Sequence, residues 1–132
     1  KIEGEEQIPD LTHLPFMPWK DWMFKLAEFK YGIHLMQTYA AGSFMMNCGY
    51  LGIPCIGYNH TDTQRNIFPD LSVDQDDLEK ARTLAKNLVV DKNFYNECSE
   101  KAKNNFYQHS SENAFNNWKK DFFSNIDEFI GG

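Results

Sequence analysis

The strongest constraint on this chain lies between Gly32 and Asn59, in "GIHLMQTYAAGSFMMNCGYLGIPCIGYN". There, two short apolar runs are separated by one helix-length segment and two glycine-marked turns. Apolar runs this short, bounded by turn residues, suit strands buried on both faces. After the first run, "GIHLMQT", comes the small-residue turn "YAAGS". Ser43 to about Leu51 then suits a helix that Gly52 can end, and Pro54 opens the second run, "CIGY". Two buried strands connected through a helix pair in parallel, because a helical crossover returns the chain to the end of the sheet where it started. The expected class is α/β: a partial Rossmann-like parallel sheet of about three strands, with helices on its faces and a helical C-terminal tail.

The flanks extend the pattern into one domain covering residues 1–132. Residues 1–10, "KIEGEEQIPD", are a polar lead-in, and residues 11–58 alternate strands and helices. "LTHLPFMPW" predicts a short strand closed by Pro18. In "KDWMFKLAEF", Trp22, Leu26 and Phe29 stand at i, i+4 and i+7, the stripe of an amphipathic helix. Residues 59–74 read as a long loop, and loops of that length are more often functional. Residues 75–130 read as helices. In the first, Asp74 is the expected cap, Val73 and Leu78 the staple, and Leu78, Ala81, Ala85, Leu88 and Val89 the inward face. Asp91 begins the next, with Phe94, Cys98 and Ala102 four apart. Ser110 or Ser111 caps a last helix striped by Phe115, Trp118, Phe122 and Phe129.

Composition narrows the function classes. With 42% hydrophobic and 15% aromatic residues, the 132-residue chain has enough apolar matter for a packed core. A formal charge of -6 gives no basic footprint, so nucleic acid is not an expected partner. Cys48, Cys55 and Cys98 are odd in number and lack CxxC spacing, which predicts small buried hydrophobes in a reducing, cytoplasmic setting. No run approaches the length of a membrane span. The start at Lys1, in a polar acidic segment, fits a fragment, a processed product or a chosen expression boundary alike.

In parallel sheets ligands bind beyond the carboxyl ends of the strands, here the loops "TYAAGS" and "NHTDTQRN". The backbone N–H groups of Gly42, Ser43 and Phe44, at a helix start, can cradle a phosphate with help from the helix dipole; a tight turn ahead of a helix explains Gly42 equally well. Asn47, one turn further, is either a ligand for hydroxyl groups or a solvent-facing residue. Asp62, Thr63, Gln64 and Arg65 border the same crevice, and Asp62 and Arg65 can instead pair with each other. His34, inside an apolar run, reads first as a core histidine. Cys48, Cys55 and His60 lack the spacing of a zinc site, so no metal is expected. Trp118, Phe122 and Phe129 read as core aromatics ahead of partner anchors.

Taken together, "GSFMMNCGYLGIPCIGYNHTDTQRNIFPDLSV" resembles the nucleotide-sugar-binding half of GT-B-fold glycosyltransferases, where a glycine-rich turn enters a helix and a G-x-P, a strand and a loop follow. The elements "LGIP", "IG", "D-x-Q-R" and "FP-x-L-x-V" look like a bacterial and archaeal subgroup, and "DDLEKARTLAKNLVVDKNFY" is similar to its C-terminal helices. The resemblance covers roughly Leu11 onward. It implies a sugar-nucleotide donor, an unspecified acceptor and no separate cofactor. Many members carry two glutamates eight positions apart that flank the turn; here those positions are Tyr39 and Asn47, neither a carboxylate. The second commonly binds ribose hydroxyls, and Asn47 can keep a weaker hydrogen bond there.

The resemblance also implies missing parts. The complete fold has a second domain, which often supplies the catalytic base, and two further βα units that bring basic residues to the diphosphate. Catalytic residues are therefore not assigned. A missing N-terminal domain or a second copy of the chain is an expected partner. The leading expectation is a glycosyltransferase fragment, inactive alone, with Gly42, Ser43, Phe44, Asn47 and Asp62 to Arg65 around the donor. The competing one is a non-catalytic α/β interaction or oligomerisation module.

Overall fold

The computed structural model describes residues 10–37, 42–110, 116, 119 and 120. Its centre is a three-stranded parallel sheet in the order β1 (Gly32–His34), β2 (Cys55–Tyr58), β3 (Ser72–Val73). Gly32 stands opposite Cys55, His34 opposite Gly57, and Tyr58 opposite Val73. All four residues of the central strand β2 are buried, which is why "CIGY" shows no polar alternation.

The α/β architecture is as the sequence leads one to expect, but the strands differ at both ends. Residues 11–18 form no strand. Pro15 and Pro18 lack the N–H that a ladder needs, and β1 is an edge of the sheet formed by the described residues. The third strand lies instead inside residues 59–74, which also contain α3 (Asp62–Ile67) and a 3₁₀ turn, Pro69–Leu71. Ile67, Phe68, Leu71 and Val73 are each 2% exposed or less, so burial of apolar side chains fixes a stretch that looks like a loop in sequence.

The earlier helices follow their local signals. α1 (Trp19–Leu26) starts directly after Pro18, with Asp21 in its first turn and Lys25 in its last, both favourable to the helix dipole. Leu26 is buried and Trp22 packs on the core, whereas Phe29, beyond the helix end, is 46% exposed. α2 (Ser43–Leu51) ends at Gly52, whose φ of 70° places it in the left-handed region. From there Gly52 N–H donates to Gly49 O, and Ile53 N–H donates to Cys48 O at 2.8 Å, closing the helix before β2 begins.

The later helices need two corrections. α4 (Leu78–Val90) is capped by Asp77, which accepts from Lys80 N–H at 3.1 Å, not by Asp74. Asp74 accepts instead from Asn59 Nδ2 at 2.6 Å, tying the end of β3 to the end of β2. Ala81 and Leu88 form the buried face with Leu84 and Ala85 against it, while Leu78 and Val89 stay exposed. α5 (Lys92–Ser110) begins after Asp91, whose carboxylate accepts from Phe94 N–H, and buries Cys98 and Ala102 against α2, α3 and α4. Tyr39, Phe115, Trp118, Phe122 and Phe129 lie outside the described residues.

The three cysteines are free and buried. A hydrogen bond with Cys48 and burial, in that order, push the Cys55 thiol well above its ordinary value, so it acts as a packing group. No described helix is long and apolar enough to cross a membrane.

Candidate functional site at the carboxyl edge of the sheet

The ends of all three strands are tied together by side chains. Asn59, after β2, donates from Nδ2 to Asp74, after β3, and its N–H donates to Val73 O at 2.8 Å. Gln37, after β1, donates to Asp76 at 3.2 Å. Arg65 reaches back to donate to Asn59 O and pairs with Asp62. Asn59, Asp76 and Gln37 are not singled out by sequence, and Asp74 is read there only as a helix cap. Their only signal is an amide or carboxylate just beyond a strand end, where such groups commonly satisfy turn backbone.

The two loops expected to share a crevice meet at Gly42 and Thr63. Gly42 has φ 82°, and a Cβ there would lie 2.7 Å from Thr63 Cβ and 2.8 Å from its Oγ1. The glycine is therefore required twice over, by its left-handed backbone and by the approach of α3. The N-cap residue, Gly42, brings no side chain to α2, whose first-turn N–H groups carry the partial positive charge of a helix start. Ser43 is exposed there, and Phe44 is half-buried, stacked on His34 with ring centroids 5.8 Å apart. His34 thus packs as an aromatic.

Asn47 lines a cleft of about 480 Å³ together with Ser43 and Phe44, and Phe16, Trp19 and Trp22 line it as well. Asp62 and Arg65 form their own ion pair, both largely exposed. The charge of Arg65 is met there before any ligand arrives.

Gln64 differs from its expected place. Its side chain is fully buried, and Nε2 donates to Cys55 O at 3.0 Å and lies 3.5 Å from Leu71 O. Two carbonyl oxygens fix the amide with Nε2 toward them, and Oε1 then sits over Gly57 with no hydrogen-bond partner among the described residues. Gln64 braces β2 and the 3₁₀ turn, and offers nothing to a ligand at the surface. The misreading has a simple source: spacing shows that a glutamine follows a strand, not which way it points.

Among the described residues, no three His, Cys, Asp or Glu side chains gather in a way that could hold a metal ion. The edge is acidic, with Asp62, Asp74 and Asp76 against Arg65. No protein-family model matches the chain, and no curated protein and no solved structure matches it either.

Proposed function

We propose that this chain is the sugar-nucleotide-binding part of a glycosyltransferase, inactive alone and completed by a further domain or a second copy. The observation that carries this reading is the meeting of Gly42 with Thr63, which brings the start of α2 to the carboxyl ends of β1 and β2. In it, the N–H groups of Gly42, Ser43 and Phe44 hold the donor diphosphate and Asn47 addresses ribose or sugar hydroxyls. As the glycosidic bond to the diphosphate breaks, fixed N–H dipoles stabilise the charge that develops on the leaving oxygen. Thr63 and the Asp62–Arg65 pair border the sugar.

The acidic edge sets the strength of this site. One helix start contributes about 0.3–1 kcal/mol toward an anion when exposed, and nearby carboxylates oppose it. Donor affinity is therefore low until basic residues arrive from elsewhere. The test is titration of the chain with a panel of nucleoside diphosphates while following amide resonances. Saturable shifts at Gly42, Ser43 and Phe44 that weaken in Asn47→Ala support the reading. Shifts spread over the surface, or none at millimolar ligand, count against it.

A second reading, a non-catalytic interaction module, is favoured by a separate observation. α1 and α2 leave a long apolar groove with exposed aromatic walls, a feature that a donor site at the sheet edge does not require.

A further inference from the structure

That groove has a volume of about 850 Å³ and is lined by Trp19, Met23 and Phe24 of α1, Met46 and Tyr50 of α2, and Phe106 of α5. The cleft lined by Phe16 adjoins it, since Trp19 and Asn47 line both. The two form one continuous face. On it Phe16 is 99% exposed, Trp19 69%, Phe24 72% and Tyr50 63%. Of the described residues that line this face only Lys20 is charged, in a chain that is 24% charged. Aromatic and methionine side chains gathered where charge is scarce have the composition of an interface core.

Area, shape and charge select the occupant. An aromatic side chain buries about 150–250 Å² in full, so at these exposures Phe16, Trp19, Phe24 and Tyr50 offer on the order of 600 Å². A stable interface of standard size takes about 800 Å² from each partner. Four aromatic residues thus supply most of one side of a dimer, and Met23 and Met46 add to it. The face also holds a projection beside a hollow: Phe16, almost wholly exposed, and the groove that begins at Trp19. A two-fold contact uses such a face twice, each copy placing its projection in the other's hollow. Two chains of net charge -6 repel one another over most of their surface, and this nearly uncharged face is where their close approach costs least.

We propose that the chain forms a two-fold dimer through this face, with Phe16 of each copy seated between α1 and α2 of the other and Trp19 near the axis. Leu26 and Trp22 hold α1 on the core, so the face is presented without rearrangement. This inference rests on the interaction reading above and uses none of the N–H groups assigned to the donor.

The test is sedimentation of the full chain over about 1–100 µM, where a monomer–dimer equilibrium is expected. Phe16→Ser should weaken dimerisation about tenfold or more and leave the circular dichroism unchanged, because Phe16 lies outside the core. Val90→Ser alters another exposed apolar residue that lines neither cleft, and should leave the dimer intact. In a mixture of unlabelled and ¹³C-methyl-methionine chains, nuclear Overhauser contacts should join the Phe16 ring of one copy to the Met23 or Met46 methyls of the other. Raising salt from about 50 to 500 mM should tighten the dimer by screening the net repulsion. A dimer untouched by Phe16→Ser, or one that dissociates as salt rises, overturns the proposal. So does a chain still monomeric at about 1 mM, whether or not nucleoside diphosphates shift Gly42, Ser43 and Phe44. In such a monomer, broadening of the Met23 and Met46 methyls by a soluble paramagnetic probe would show an open face and spare the interaction reading, and no broadening would remove both.

Discussion

Replacing Gly57 with alanine isolates the role of Gln64. A Cβ at Gly57 would stand 2.6 Å from Gln64 Oε1 and 2.7 Å from its Cδ, inside the 3.0 Å that real Cβ contacts respect. Glutamine has a flexible end, but this one is fully buried and tethered through Nε2 to Cys55 O at 3.0 Å, so it cannot retreat without releasing that bond. Overpacking a core costs about 1–3 kcal/mol, and leaving a buried group unpaired costs about 1–3 kcal/mol. Gly57→Ala should therefore destabilise by about 2–6 kcal/mol, a large share of the roughly 5–15 kcal/mol that holds a typical domain. In the Gln64→Ala background the obstacle is gone, and the same substitution should cost no more than about 0.5 kcal/mol.

Urea unfolding followed by circular dichroism and tryptophan fluorescence, on the four proteins of this double-mutant cycle, measures the difference. A coupling energy of about 2 kcal/mol or more is the expected result. Additive effects, with coupling below about 0.5 kcal/mol, would refute the bracing role and reopen Gln64 as a surface group. Because Gln64 follows Thr63 in α3, Gly57→Ala should also move the amide resonance of Gly42, where Thr63 makes contact.

Other outcomes follow from the same packing. Gly42→Ala should cost about 1–3 kcal/mol in thermal or urea unfolding from its left-handed backbone alone, and Thr63→Ala should recover only part of the contact loss, because it removes Oγ1 and Cγ2 but keeps Cβ, the nearest atom at 2.7 Å. Arg65→Gln, which removes a largely exposed ion pair with Asp62, should change stability by less than about 1 kcal/mol; a larger loss would show that the bond to Asn59 O organises the edge. Burial, reinforced by Asp70, raises the Cys98 thiol from 9.0 to about 11. Its contribution to stability is thus fully present below about pH 9 and is lost as pH rises through about 11, a fall on the order of 2–3 kcal/mol. Cys98→Ala should flatten the unfolding free energy across that window, and an unchanged slope would count against the assignment. Ser99→Ala should cost about 1 kcal/mol by removing the bond to Gly52 O.

Much of the stretch from Gly42 to Tyr58 was legible because its signals are local. Gly42, Ser43 to Leu51, Gly52 and Pro54 each act through their own backbone conformation, so α2 and β2 stand where the residues place them. The stripe Phe94, Cys98, Ala102 on α5 was legible for a related reason, since helical spacing alone puts these residues on one face. β3 was not legible: two residues carry no period, and Ser72–Val73 is a strand only because Tyr58 lies beside it. Asp74 and Asp77 are equally good caps in isolation, and the choice fell to Asp77 because Asn59 engages Asp74.

At the candidate site the division is the same. Sequence located the loops beyond β1 and β2 and the small residue at the start of α2. It did not show that Gly42 packs on Thr63, that Arg65 spends its charge on Asp62, or that Gln64 turns inward. Those facts concern direction, and direction comes from neighbours distant in the chain.

By itself, then, the sequence determined the α/β class, the limits of α2 and the strand that follows it, because glycine, proline and apolar runs restrict the backbone at short range. Only the tertiary structure decided which short segment became the third strand, which aspartate capped α4 and which polar side chains faced outward. Those choices depend on burial and hydrogen-bond partners that exist once the sheet has assembled.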